Sequence, residues 1–279
     1  MTTPDIRVLT PAELSQLLGW AEAEGWNPGL NDALAFHAAD PSGFFGCFVG
    51  EQMVAGISAV AYGENFGFIG LYICHPDHRG KGYGLKVWDH AMHSLAGRSI
   101  GLDGVPAQQE NYARMGFVPT YGTVRWSGHT PALPASHPDI IAVTPDHFQD
   151  IEAFDARAFP APRPAFLKTW IQPPHIARAI FRNGQLIGYG VARRCHDGFK
   201  IGPLFAEADG DAEVLFSALS MAAGSDPLHI DVPENRTVFS AYLSGLGFTK
   251  GFETRRMIHG APLLYEERLV FGVTTLELG

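Results

Sequence analysis

The chain has 279 residues, of which 46% are apolar, and a formal net charge of −9 at pH 7. That length accommodates one large domain or two of ordinary size, and the apolar share excludes a disordered chain. No stretch approaches the roughly 18 unbroken apolar residues of a membrane span. The acidic balance, with no basic run interleaved with aromatics, argues against a nucleic-acid partner. Its three cysteines, Cys47, Cys74 and Cys195, are widely spaced, form no zinc pattern and cannot all pair. The opening MTTPDIRVLT lacks the basic head and apolar run of a signal peptide. Together these features predict a cytoplasmic protein in a reducing environment. An acidic surface is also compatible with a cationic substrate such as an amine.

In chain order, PAELSQLLGWAEAEGW has apolar residues at helical spacing, and the Asn-Pro-Gly at residues 27–29 separates it from a second helix capped by Asn31 or Asp32. The segment FVGEQMVAGISAVAYGENFGFIGLYI reads as three strands, the first two joined by a turn at Glu51-Gln52. A helix follows over Gly80 to Ala96, then the strand SIGLDGVP, then a short helix closing on Gly116-Phe117 and a last strand. HTPALPASHPD, rich in proline and small residues, reads as a linker. The pattern then repeats. IFRNGQLIGYGVARRCHDGFKIGPLF gives three strands with a turn at Asn183-Gly184, and Asp209 to Ala223 gives a helix. PLHIDVPE and AYLSGLGFTKGFETRRM complete the copy. The order β-β-β-α-β-α-β in both halves marks a duplicated domain. The sequence divides into 1–130, a linker at 131–138, and 139–279. The expected class is α/β (α+β), with two mixed, mostly antiparallel twisted sheets flanked by helices.

The stretch that carries chemistry is IGLYICHPDHRGKGYGLKVWDHAM. An apolar strand runs into His75-Pro76, and Arg79-Gly80-Lys81-Gly82-Tyr83-Gly84 then opens a helix. Glycines let backbone N–H groups approach an anion, the helix N-terminus adds its positive dipole end, and Arg79 and Lys81 add charge. The ligand of such a turn is a phosphate or pyrophosphate. A P-loop would need Gly-Lys-Ser/Thr, but Gly84 is followed by Leu85. A dinucleotide fingerprint would need Gly-x-Gly-x-x-Gly in a βαβ unit, which this is not. The second copy has no such loop: GPLFAEADGDAEV carries Glu207, Asp209 and Asp211, which would repel a pyrophosphate.

Arg79 to Gly84, placed after three strands and before α-β-α-β, resembles the pyrophosphate loop of the GNAT superfamily of N-acetyltransferases. The family pattern is Arg/Gln-x-x-Gly-x-Gly/Ala, and every fixed position is met. The resemblance covers roughly residues 5 to 128 and, in degenerate form, 139 to 259. GWNPG, GLYICHPDHRGKGYG, GLDGVP and ETRRMIHG further resemble the two-domain YitH-like branch. The resemblance implies that Tyr72, Ile73 and Cys74 offer main-chain groups to the pantetheine arm and thioester carbonyl of acetyl-CoA. It implies that Arg79, Gly80, Lys81, Gly82, Tyr83 and Gly84 hold its pyrophosphate, and that Tyr112 protonates the leaving thiolate. An asparagine that many members place about seven residues before that tyrosine is replaced here by Val105. No metal is implied.

The implied reaction is transfer of an acetyl group from acetyl-CoA, as co-substrate, to a primary amine by direct attack in a ternary complex. An amine with an unperturbed pKa of about 10.4 must lose a proton first. Glu64, in the turn after the second core strand, is the first candidate base, with Glu22, Glu24, Asp32 and His37 as further candidates. Trp20 and Trp26 read as packing residues. The acidic balance favours a small cationic acceptor over a protein. The degenerate copy either completes the acceptor pocket or forms a homodimer contact. The rival readings are a non-catalytic acyl-CoA-binding module, and a protein lysine acetyltransferase whose second copy docks the partner.

Overall fold

The computed structural model describes residues 3–129 and 137–279. The expected linker therefore lies, up to residue 136, outside the described residues. After β1 (Asp5–Val8), α1 (Pro11–Ala23) is opened by a capping box in which Thr10 and Glu13 satisfy each other's backbone N–H groups. Then come α2 (Asp32–Ala39), β2 (Phe44–Val49), β3 (Gln52–Tyr62), β4 (Phe66–Cys74), α3 (Tyr83–Ser94), β5 (Ser99–Gly104), α4 (Gln109–Arg114) and β6 (Val118–His129). The second half comprises β7 (Ile140–Ala142), α5 (Phe148–Ala158), α6 (Pro164–Trp170), β8 (Ile176–Arg182), β9 (Gln185–Arg194) and β10 (Phe199–Ala206). It continues with α7 (Asp209–Ala223), β11 (Pro227–Pro233), α8 (Thr237–Gly245), β12 (Thr249–His259) and β13 (Val270–Gly272).

The repeated β-β-β-α-β-α-β order is present in both halves, in a mixed and mostly antiparallel arrangement. Two local details differ from the sequence reading. The first hairpin turns at Gly50-Glu51, one residue early, with Gly50 at φ 63°. Asn31 precedes α2 but makes no capping bond with its side chain; Asp32 instead accepts the N–H of Gly29 at 2.8 Å.

The two sheets are not separate. The strands form one 13-stranded sheet in the order β1-β2-β3-β4-β5-β12-β6-β11-β10-β9-β8-β7, with β13 against β10. The last strand of each copy has been exchanged. β12 pairs with β5 of the first half, β6 pairs with β11 of the second, and β12 and β6 pair with each other at the centre. The exchange is pinned by two buried ion pairs. Arg256 on β12 holds Asp103 on β5 through bonds of 2.8 and 2.9 Å, and Arg125 on β6 holds Asp231 on β11 through bonds of 2.7 and 2.9 Å. Both are fork-to-fork contacts, which fix the strands' register as well as their partners.

One apolar core joins α1 and α2 to α5 and α6 across the two halves, through residues such as Leu17, Phe36, Phe166 and Trp170. Phe36 stacks on Trp170 with ring centres 6.3 Å apart. A second core lies under α7 and α8, and a third under α3. None of the helices is long and apolar enough to cross a membrane, among the described residues.

Candidate active site

β4 and β5 run parallel and pair only from Phe66–Ile69 to Ser99–Leu102. Beyond that the strands diverge. β4 carries one extra residue against β3, since Gly56 faces Ile73 but Ser58 faces Gly70, and Leu71 takes up the bulge at φ 46°. The bulge turns the edge of Gly70 to Cys74 away from β5 and leaves it without a strand partner on that side. The gap is a cavity of about 480 Å³. Tyr72, Ile73, Cys74 and Arg79 line one side, with Val105, Gln108 and Tyr112 opposite. Trp26, Phe252 and Glu277 line the remainder.

At the mouth, Gly80 and Gly82 have φ of 76° and 82°, a conformation that residues with a Cβ adopt at a cost. Gly82 precedes α3, whose first main-chain bond runs from Lys86 N to Gly82 O. The N–H groups of Tyr83, Gly84 and Leu85 therefore have no partner within the helix. A side-chain carbon at Gly80 or Gly82 would meet open space, so this turn has room for a ligand. Lys81 folds back to donate to Asp77 O at 2.9 Å. Arg79 donates from Nε to Cys74 O at 3.0 Å and pairs with Glu24, tying the turn to the end of α1. A glycine turn on a helix N-terminus can hold an anion through backbone N–H groups.

Tyr72 lies against the start of α3, where a Cβ on Gly84 would stand 2.9 Å from its hydroxyl oxygen. Behind it, Trp88 stacks on Tyr112 with ring centres 5.4 Å apart and planes 23° from parallel. Tyr112 therefore has a ring held by stacking, and it lines the cavity. Burial, with a smaller contribution from Tyr72, pushes its pKa up to about 12, so it is a proton donor throughout the neutral range. The Cys74 thiol is pushed up by burial, partly offset by Arg79, and contacts Val54 O at 3.5 Å; it is not an activated nucleophile.

Glu64 does not belong to this site. It sits in the exposed turn joining β3 to β4, at the end of β4 where that strand pairs with β5. The nearest cavity residue on its strand, Ile69, is five residues away, roughly 17 Å at ~3.3 Å per residue. The divergence that opens the cavity lies at the other end of β4. Asp32 is also excluded, buried in an ion pair with Arg193. Glu24 reaches the cavity but is held by Arg79. Trp26, read as packing, lines the cavity, and its carbonyl oxygen accepts from Arg125 at 3.2 Å and Lys200 at 3.1 Å.

In the second half the equivalent opening is filled by the chain itself. β10 and β11 pair from Phe199–Ile201 to Leu228–Ile230, and beyond this β13 inserts, pairing with β10 at Leu204 and Phe205. Val273 N then donates to Asp231 O on β11 at 2.9 Å. Where the first half has its glycine turn, Glu207 is held by Arg157 at 2.7 Å and Arg268 at 2.8 Å.

A parallel strand pair opened by a bulge, beside a glycine turn on a helix N-terminus, is the arrangement whose sequence matches the acetyltransferase (GNAT) family over residues 12–117; a second acetyltransferase (GNAT) domain matches residues 151–272. The chain belongs to the GNAT family. It is 35% identical over 264 residues to the holothin acyltransferase of Pseudoalteromonas sp. (strain SANK 73390), covering 93% of this chain and 89% of that one. The uncharacterized N-acetyltransferase YitH of Bacillus subtilis is 28% identical, covering 75% and 76%. Among solved structures, a candidate acetyltransferase from Pyrococcus horikoshii aligns with a TM-score of 0.82 at 19% identity, over 100% of this chain and 97% of its own. A tandem GNAT protein from the clavulanic acid biosynthesis pathway aligns with a TM-score of 0.62 at 14% identity, over 93% and 100%. This GNAT chain is thus an acyltransferase with two family domains, of which the first keeps an open cleft.

The residues that sequence reasoning missed lie at the far side of that cleft: Gln108, Arg125, Phe252, Thr254, Leu276 and Glu277. All but Gln108 come from the exchanged strands or from the segment after β13. Phe252, Thr254, Leu276 and Glu277 carry no spacing signal, because they reach the cleft from more than a hundred residues away.

Proposed function

We propose that the protein is an acetyl-CoA-dependent N-acetyltransferase that acetylates the primary amine of a small molecule by direct attack in a ternary complex. The observation that carries this reading is one cavity lined by the free edge of β4 at Tyr72–Cys74, by the half-buried Tyr112 and by Arg79, the residue that leads into the glycine turn at Gly80–Gly84. The turn suits a pyrophosphate because Gly80 and Gly82 leave open space beside the N-terminus of α3. Arg79 and Lys81 are already engaged in internal bonds, so their part is to hold the turn's shape and to supply positive charge. The free edge of β4 suits an extended pantetheine arm and can aim a main-chain N–H at the thioester carbonyl oxygen. Tyr112 donates the proton to the departing sulfur.

A small acceptor is favoured by a cavity of about 480 Å³ with Trp26 and Phe252 among its lining residues. It is also favoured by the likeness to a relative named for acylating holothin. A non-catalytic acyl-CoA-binding role would leave the half-buried Tyr112 at the cavity without a chemical use. Isothermal calorimetry with acetyl-CoA, followed by a screen of small amines and lysine peptides for CoA-thiol release, tests the reading. Turnover of peptides alone would overturn the small-molecule acceptor, and binding without turnover of any amine would overturn the enzyme.

A further inference from the structure

Three carboxylates line the cavity, and their surroundings differ. Glu24 is paired with Arg79, and Asp103 is held bidentately by Arg256. Glu277 is 2% exposed and, among the described residues, has no ion-pair partner and no hydrogen bond to its carboxylate. Its Oε2 is a buried oxygen without a donor, and so is the hydroxyl of Thr254, another cavity residue, which is 5% exposed. Buried polar atoms normally find partners, and an ionised carboxylate left bare is the costliest exception. The backbone at Glu277 is not loose. Its carbonyl oxygen accepts from the Ser58 hydroxyl at 3.1 Å and packs on Gly70, at the bulge that opens the cavity. Trp26, Phe252 and Leu276 add two aromatic rings and an aliphatic side chain to the cavity lining.

We propose that Glu277 and Thr254 form the amine subsite: the acceptor is a primary amine on a flat, apolar body, held between Trp26 and Phe252 with its nitrogen on these two oxygens. The inference rests on the acetyltransferase reading and adds the acceptor's chemistry and the base. The acceptor arrives as an ammonium. Glu277 takes one of its three protons, and the freed lone pair forms the C–N bond as the C–S bond of the thioester breaks. The sulfur leaves with the electron pair of that bond and takes the Tyr112 proton; the second nitrogen proton restores Tyr112 through solvent. Glu277 then releases its proton to water, so one amide, one thiol and one proton are the products. The second half of the chain thereby serves the first: β12 brings Thr254 and Phe252, and the segment after β13 brings Glu277.

The rival role for Glu277 is to offset the buried cations around it. Arg125 on β6, Arg193 on β9 and Lys200 on β10 all feel its charge, while Asp231 and Asp32 hold Arg125 and Arg193. Among the described residues, the Lys200 ammonium has only the carbonyl of Trp26 as a hydrogen-bond partner. Kinetics separate the two roles, with tryptamine and benzylamine as probes and spermidine as an apolar-poor control. For Glu277→Gln we expect acetyl-CoA affinity within about threefold of wild type and kcat/KM for tryptamine lower by about 10²–10⁴-fold. For Thr254→Val, which alters no charge, we expect KM for tryptamine to rise about fivefold or more with kcat little changed. Equal tryptamine kinetics in Glu277→Gln and wild type overturn the proposal, as does spermidine outpacing both aromatic amines. If Glu277→Gln fails to fold, Thr254→Val carries the test, and an unchanged KM in it overturns the subsite. A wild-type enzyme that binds acetyl-CoA but acetylates no amine would instead overturn the acetyltransferase reading.

Discussion

The hydroxyl of Ser58 donates to the carbonyl oxygen of Glu277 at 3.1 Å, across 219 residues of sequence. This bond seats the segment after β13 on the bulge of β4, and Gly70 makes it possible. A Cβ at Gly70 would stand 2.1 Å from the Glu277 carbonyl oxygen and 2.7 Å from its carbon, backbone atoms that cannot swing aside. Gly70→Ala should therefore dislodge the segment, cost about 1–3 kcal/mol of stability, and expose residues 273–279 to proteolysis. Thermal melts and limited proteolysis check this. Wild-type values in both would mean that the segment is not seated as described.

Gly82→Glu should weaken acetyl-CoA binding by about 100-fold or more, roughly 2.7 kcal/mol. Two effects add: Gly82 has φ 82°, and the new carboxylate would enter the open space proposed for the pyrophosphate. Gly82→Ala carries the backbone strain alone, about 1–2 kcal/mol, and should lose far less. Calorimetry on the pair separates charge from strain.

Tyr112→Phe keeps the stack on Trp88 and removes the hydroxyl. We expect kcat to fall by about 10²–10⁴-fold with acetyl-CoA affinity unchanged. The same variant has a pH signature. The folded pKa of about 12 lies above the ordinary tyrosine value of 10.0, so the group's contribution to stability is complete below pH 10 and is lost as pH rises towards 12. Urea melts from pH 8 upward should show a shallower alkaline decline in Tyr112→Phe than in wild type. It should not vanish, because burial also raises Tyr62 and Tyr265.

Arg256→Met should be among the most destabilising single changes. It leaves Asp103 buried without its cation, a loss of about 3–5 kcal/mol. Asp103→Asn in the same chain should recover part of it, since the bare charge is then gone. Chemical denaturation of both variants tests the ion pair as the pin of the exchanged β12.

A chain cut after Ser136 should not behave as an independent enzyme. It would keep β6, whose neighbours β11 and β12 are lost, and it would leave β5 with a bare edge and the cavity without Thr254 and Glu277. Circular dichroism and gel filtration of residues 1–136 should show an aggregating or poorly folded species. A monomer with full turnover would show that the exchange is dispensable and that the second half serves another purpose.

What the sequence by itself determined was local. Alternating apolar residues set the strands, Gly80 and Gly82 announced a turn at positive φ before α3, and the duplicated order showed two copies of which one lacks that turn. The place of Tyr112 at the cavity was legible because its distance from Gly116-Phe117 is fixed within a single helix-turn unit. The tertiary structure decided what depends on which edges meet. β6 and β12 carry patterns compatible with pairing in their own halves, and hydrogen bonding between strands is indifferent to which copy supplies the partner. The ion pairs Arg256–Asp103 and Arg125–Asp231, each spanning more than a hundred residues, are what distinguish the exchanged register. Glu64 lies away from the cavity because strand direction, not turn composition, decides which end of β4 faces the opening. Glu277 could not be found because its role depends on a bulge at Leu71 and a gap at Gly70, and neither leaves a mark near residue 277 in the sequence.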